Sequence, residues 1–279
     1  MKDVKTLRAE IENIDTLPTI PSVLQRLLRV IENPKVSLNE ISNTILSDPV
    51  LTSRVLKLVN SPIYGFPGRI SSLTQALILL GLNVVRGMLL GVSVFEAMEM
   101  TMVGLWKHSL GCAVSARLIA KKVGAPEPEE IAVAALLHDI GKVVMKLKYP
   151  DDYTAVLKRT EESGMYIGEV EKEIFHISHA DAGAWIAQKW NFPKHLVEVI
   201  GYHHKPQLSR NVPMQSAIVH FADVLVRAKG FGFAGDPNVP MIQPAAWKVL
   251  DLSEYDLTEL LKELDDALTM AEDTILSDE

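Results

Sequence analysis

Stop and start signals sit at the ends of one helix-period apolar segment after another, and this punctuation restricts the chain to an all-α fold. Pro21-Ser22 opens a run that places Val23, Leu24, Leu27, Leu28 and Ile31 on one face, and Asn33-Pro34 ends it. Ser37-Leu38-Asn39-Glu40 and Ser72-Leu73-Thr74-Gln75 both read as capping boxes, in which the Ser caps the turn and the acidic or amide side chain reaches back. Asp48-Pro49 sets an N-cap before a proline at the first helical position, where its missing N–H costs nothing, and Asn60-Ser61-Pro62 closes that helix. Leu105 to Val123 is amphipathic and stops at Gly124, Pro128 opens a segment that stays apolar to Leu137, and Ser178 caps His179 to Trp190. Pro193 starts a segment through His204, Met214 to Ala228 follows, and Leu257, Leu260, Leu261, Leu264, Leu268 and Met270 mark a terminal amphipathic helix. No alternating strand pattern competes.

Composition narrows the class further. Of 279 residues, 48% are hydrophobic and 23% charged, with a formal charge of −7, the balance of a folded soluble protein rather than a disordered one. The acidic balance argues against general nucleic-acid binding, which needs a basic surface, and leaves open only a local basic cleft. Cys112 is the single cysteine, so no intramolecular disulfide framework and no all-cysteine zinc site is available, and a reducing, cytoplasmic setting is expected. Met1 to Thr6 mixes both charges with no apolar core behind it, which does not read as a signal peptide. The greasiest stretch, Ala76 to Phe95, is broken by Asn83 and Arg86 and is expected as buried helix rather than a membrane span. Residues 230–243 are rich in turn formers but lack the Gly-Lys-Ser/Thr ending of a phosphate loop, so they are expected as an ordinary loop.

The chemistry lies in the histidines and their acidic neighbours. His138-Asp139 ends the apolar run from Ile131 to Leu137, where two ionisable groups are costly to bury without compensation. A metal ion supplies it, because imidazole nitrogen and carboxylate oxygen both coordinate and the cation keeps the Asp ionised. His203-His204 end another helix. Successive helical side chains diverge by about 100°, which suits flanking two ions better than sharing one. Asp181 is expected as favourable charge in a helix's first turn, and Cys112, one turn after His108, as a small buried hydrophobe. His176 and His195 are expected to be structural, with His220, one turn from Asp223, a conceivable outer support.

At this point the chain resembles the HD superfamily of metal-dependent phosphohydrolases. The superfamily's His, His-Asp pair and final Asp map onto His108, His138, Asp139 and Asp223. His138-Asp139-Ile140-Gly141-Lys142 matches the form seen in HD-GYP phosphodiesterases, and His179 and His203-His204 look like the further histidines of that branch. The first half is similar to the HDOD domain, the HD-related output domain, through Leu17-Pro18-Thr19-Ile20-Pro21, Ser47-Asp48-Pro49-Val50-Leu51-Thr52, Leu58 to Gly65, and Ala76 to Gly81. Trp106-Lys107-His108-Ser109 and Trp190-Asn191-Phe192-Pro193 fit it as well. The resemblance covers about residues 17–228, and implies an N-terminal helical part (17–100) packed on an HD-like part (101–228), preceded by a segment 1–16 and followed by a loop and helical extension (229–279).

The resemblance implies two divalent transition-metal ions, of Fe, Mn, Ni, Co or Zn, held by His108, His138, Asp139, His179, His203, His204 and Asp223, with Asp139 the natural bridge. Such ions activate a water and clamp a phosphoester for attack, with no separate general base to name. Lys142 either meets the substrate phosphate as a point charge or is a solvated residue just past a helix. Two departures stand out. Lys205-Pro206-Gln207-Leu208 follows the paired His with no Gly-Tyr-Pro motif, and Gly104 stands where the HD-GYP branch can carry an extra acidic ligand. The expected role is therefore a bacterial signalling or regulatory protein of HDOD type, with a metal-dependent phosphohydrolase acting on a nucleotide or other phosphoester as the alternative. The partners implied are a signalling protein or a phosphoester ligand.

Overall fold

The computed structural model describes residues 3–13, 30, 36–60, 70–190 and 192–276. Among them the regular elements are all helices. The helix expected from Pro21, its Asn33-Pro34 stop, the Leu17–Pro21 landmark and the turn after Asn60 lie outside the described residues.

Segment 1–16 contains α1 (Val4–Glu12), and residues up to Thr101 hold α2 (Leu38–Leu46), α3 (Pro49–Asn60), α4 (Leu73–Leu80) and α5 (Leu82–Thr101). The local signals act as expected at most joints. Glu40 accepts from the Ser37 backbone N–H at 2.8 Å while the Ser37 hydroxyl accepts from the Glu40 N–H at 3.2 Å, a complete capping box. Asp48 Oδ1 accepts from the Leu51 N–H at 3.0 Å. The second box is only half formed. Ser72 Oγ caps the Gln75 N–H at 3.2 Å, but the Gln75 amide oxygen turns to the Ser71 N–H at 3.0 Å. Asn60 then pins the end of α3 to the start of the next segment, donating to the Ile70 carbonyl at 2.8 Å and accepting from the Ile70 N–H at 2.7 Å.

The apolar stretch from Ala76 is not one helix. Gly81, at φ +80°, breaks it into α4 and α5, a conformation open to glycine because it has no Cβ. Arg86 is buried within α5, donating to the Trp190 carbonyl and lying 4.5 Å over the Phe192 ring. No helix of the described residues is long and apolar enough to cross a membrane.

The remaining helices are α6 (Leu105–Lys122), α7 (Pro128–Leu137), α8 (Ile140–Lys148), α9 (Pro150–Ser163), α10 (Ile167–Phe175), α11 (His179–Lys189), α12 (Lys194–Tyr202), α13 (Pro213–Ala228), α14 (Pro244–Leu250) and α15 (Glu254–Leu276). Helices α6, α7 and α13 pack on one another, and α7 also touches α5 and α12. Ile131 to Leu137 of α7 is buried throughout, so this helix is hydrophobic all round because it has neighbours all round. Helix α8 lies against α11. Leu260, Leu264 and Leu268 bury the inner face of α15 on α6, whereas Met270, expected on that face, is 51% exposed.

Candidate metal centre

The expected site residues come from the ends and inner faces of these packed helices. His108 lies in the first turns of α6, His138 and Asp139 at the α7–α8 junction, and His179 at the start of α11. His203 and His204 follow α12, and Asp223 lies within α13. Apart from His204, whose side chain is 31% exposed, every one of them is buried. The fold brings them all together.

Asp139 stands in the middle. Its Oδ2 is 3.3 Å from His138 Nε2 and 3.7 Å from His108 Nε2, and its Oδ1 is 3.3 Å from His179 Nε2 and 4.0 Å from His203 Nε2. The carboxylate thus spans two groups of donors. One group contains His108, His138 and Asp223, where His108 Nε2 is 3.2 Å from Asp223 Oδ1. The other contains His179, His203 and His204, where the Nε2 atoms of His179 and His204 are 2.9 Å apart.

The tautomers are fixed from behind. His138 Nδ1 donates to the Ala135 carbonyl at 2.6 Å and His203 Nδ1 to the Ile200 carbonyl at 2.7 Å. His179 Nδ1 lies 2.6 Å from Glu171 Oε2. Each arrangement turns Nε2 inward. Yet His138 Nε2, His203 Nε2, Asp139 Oδ1 and Asp223 Oδ2 have no hydrogen-bond partner among the described residues, although all are buried. Buried polar atoms are nearly always satisfied. Orphans on four residues of one His/Asp cluster form a group that could hold a cation. The donor set, imidazole and carboxylate with no competing lysine on those atoms, fits a divalent transition metal.

The electrostatics are those of paired buried groups: burial pushes the His138 imidazole down, but the Asp139 carboxylate outweighs it and holds His138 above its usual range. Burial raises the Asp139 carboxyl, but His138 and Lys142 outweigh it and hold the group well below the usual carboxylate range. Burial likewise raises Asp223, and Arg227 and His108 reverse it. Burial pushes the His203 and His204 imidazoles well down, aided by neighbouring histidines, so both are neutral with a lone pair to give.

Lys142 is not the solvated residue of one expectation. It is 1% exposed, and its ammonium donates to Asp139 Oδ2 at 2.6 Å and to the Ala234 carbonyl at 2.8 Å. Its contacts orient Asp139, leaving Oδ1 free, and tie down the 230–243 loop. That loop is more than a connector. Phe233 N–H donates to the Gly104 carbonyl at 3.0 Å, and Asp236 accepts from Arg227 at 3.0 Å and from the Ile167 N–H at 3.1 Å.

Further residues stand behind the expected set, and one of them, Glu171, carries no signal of its own in the sequence. Glu171, fully buried, accepts from the Tyr153 hydroxyl at 2.7 Å and holds both the N–H of His179, at 2.7 Å, and its ring. It looks like any other acid of an acidic helix until α10 and α11 are placed. Arg227, bonded to Asp223 Oδ1 at 3.1 Å, could have been found from its i,i+4 spacing. His220 does support the centre from outside. The Gln243 N–H donates to its Nε2 at 3.0 Å, so its Nδ1 donates to the His203 carbonyl at 2.8 Å. His176 is a helix C-cap at φ +62°, His195 pairs with Glu130 at 2.7 Å, and Asp181 takes both the N–H and hydroxyl of Ser178 at 2.8 Å. Cys112 is buried with Sγ 3.5 Å from His108 Nε2.

Because Glu171 fixes the ring of His179, Glu171→Gln is expected to weaken metal binding about 10–100-fold. Competition with a chromophoric chelator would measure it, and an unchanged affinity would remove Glu171 from the centre.

A cavity of about 390 Å³ opens beside the centre, lined by His204, His220, Arg227, Lys172, Tyr166 and Met241 among others. His204, the one exposed member of the expected ligand set, is the point where the two meet.

Fold and site together define an all-helical protein built round a buried histidine–aspartate centre. The HDOD domain family model matches residues 17–206, and the chain belongs to that family. A crystal structure of an HDOD domain protein of unknown function from Geobacter sulfurreducens is 29% identical, covers 98% of each chain and superposes with a TM-score of 0.73. A protein of Marinobacter aquaeolei VT8, named provisionally for signal transduction, is 20% identical with a TM-score of 0.72, covering 98% of this chain and 64% of its own. A Shewanella amazonensis SB2B protein, named provisionally as a metal-dependent phosphohydrolase, is 17% identical with a TM-score of 0.60, covering 96% and 97%. These last two share the fold alone. An uncharacterized protein of Treponema pallidum is 29% identical over 223 residues, 77% of this chain but 43% of its own, so the chain spans less than half the length of that relative.

Proposed function

We propose that the chain is a signalling protein of HDOD type whose HD-type centre holds two divalent transition-metal ions. His108, His138 and Asp223 would hold one, His179, His203 and His204 the other, and Asp139 would serve both. The observation that carries this is the set of buried donor atoms on His138, Asp139, His203 and Asp223 that have no partner among the described residues. When bound, such ions polarise a phosphoester and activate water. The chain's own residues do the positioning: Lys142 orients Asp139, Glu171 orients His179, and His220 steadies His203 through its backbone. In this reading, occupancy of the centre by metal or a phosphoester sets how residues 17–100 rest on residues 101–228, and a protein partner reads the result.

The enclosure of the centre and the absence of a Gly-Tyr-Pro motif after His203-His204 favour signalling over turnover. The cavity beside His204, with Lys172 and Arg227 in its wall, favours a second reading, hydrolysis of a phosphoester. Both require metal. Elemental analysis of protein purified without chelator is expected to find a transition metal, and chelation is expected to lower the melting temperature, because an ion that binds only the folded state stabilises it. Mn- or Fe-loaded protein is expected to show little or no cyclic di-GMP turnover. Turnover near about one per second, abolished by His138→Ala and Asp139→Ala, would make this a phosphodiesterase instead.

A further inference from the structure

We propose that the Cys112 thiolate is a ligand of the same centre, so that its two ends differ chemically. One end would offer nitrogen, oxygen and sulfur, and the other nitrogen with the shared carboxylate oxygen. The inference rests on the metal-binding reading above and adds a donor that the histidine–aspartate pattern does not contain.

Cys112 follows His108 by one helical turn, so both side chains leave the same face of α6. Suitable donor atoms of His108, Cys112, His138 and Asp223 all lie within 4.8 Å of one another. His138 Nε2 and Asp223 Oδ2 in that group are buried and without partners among the described residues. The spacings match those an ion would impose. Zinc–sulfur and zinc–nitrogen bonds of about 2.3 and 2.0–2.1 Å at a tetrahedral angle put the two donors about 3.5 Å apart, and two nitrogen or oxygen donors about 3.3 Å apart. Cys112 Sγ is 3.5 Å from His108 Nε2, and His108 Nε2 is 3.2 Å from Asp223 Oδ1, the oxygen that also accepts from Arg227 at 3.1 Å while Oδ2 is the one without a partner among the described residues.

The rival account is a neutral His108 that donates Nε2–H to Asp223 Oδ1, with Sγ a weak acceptor beside it. It accounts for these two contacts but leaves His138 Nε2 and Asp223 Oδ2 without partners among the described residues, whereas a cation takes both together with the sulfur. On binding, the S–H bond breaks, a sulfur–metal bond forms and the proton passes to the buffer, with no change of oxidation state. A thiolate biases this end towards thiophilic ions such as zinc or cobalt over manganese.

Cobalt(II) titration of the chelator-stripped full chain tests this. Cys112 is the only cysteine, so any near-ultraviolet thiolate-to-cobalt charge-transfer band must come from it. The wild type is expected to show that band together with visible ligand-field bands. Cys112→Ser is expected to lose the charge-transfer band completely and keep visible bands from the remaining donors. A wild-type spectrum with visible bands but no charge-transfer band would overturn the thiolate ligand and leave the histidine–aspartate centre standing. The thiolate ligand is equally overturned if Cys112→Ser retains the near-ultraviolet band. Absence of any cobalt spectrum would overturn both readings. Because the wild-type spectrum decides by itself, the test survives a variant that fails to fold.

Discussion

Asp139→Ala is expected to lose the metal and to melt on the order of 10 °C below the wild type. The side chain is 1% exposed and takes the Lys142 ammonium at 2.6 Å. Truncation leaves a buried cation with only the Ala234 carbonyl. Removing one partner of a buried pair costs about 3–5 kcal/mol, far more than the pair contributes relative to an apolar replacement. For a chain of this size each kcal/mol moves the melting temperature by about 2–4 °C. The two consequences separate in a double variant: Asp139→Ala with Lys142→Met is expected to regain most of the stability and none of the metal. The pH dependence has a definite sign. The Asp139 carboxyl is held well below the usual range, so its contribution is complete above about pH 4 and fades as the pH falls through the lowered value. Unchanged metal content and melting temperature in Asp139→Ala would show the site to be wrongly placed.

Gly141→Ala is expected to destabilise by about 3 kcal/mol and to weaken metal binding together with stability. A Cβ at this position would stand 1.9 Å from the His179 carbonyl oxygen and 2.7 Å from the Gly183 nitrogen. Both are backbone atoms, so no rotamer change relieves the clash, and α8 must move off α11. That movement separates Asp139 from His179, whose Nε2 is 3.3 Å from its carboxylate. Gly168→Ala serves as the contrast. Its Cβ would come no closer than 3.7 Å to His179 Cε1, within ordinary contact. A helical Gly→Ala change there is expected to be neutral or stabilising by up to about 1 kcal/mol. Equal melting temperatures for the two variants, by calorimetry, would refute the packing argument.

Gly141 meets the His179 carbonyl and the Gly183 nitrogen only because α8 packs on α11, a contact between elements distant in the chain. The sequence alone determined the helices whose limits depend on neighbours a turn away. Ser37 with Glu40, Asp48 before Pro49, Pro128 at the head of α7 and Gly124 after α6 all act within a few residues, and the structure has them where they were expected. His138-Asp139 was legible for a related reason: ionisable groups at the end of a continuous apolar run need a partner wherever the chain goes. What only the tertiary structure decided involves separate elements. Two departures are local even so: Gly81 breaks an apolar run that periodicity leaves whole, and Gln75 takes Ser71, four residues away, over the cap it could have completed. Lys142 turns inward because α8 presents it to Asp139 and to the 230–243 loop. Glu171 is one acid among several until α10 meets α11, and Cys112, buried as expected, comes near His138 and Asp223 only once α6, α7 and α13 pack together. Caps and periodicity are short-range, whereas a centre assembled from the ends and faces of six helices depends on distances that only their packing sets.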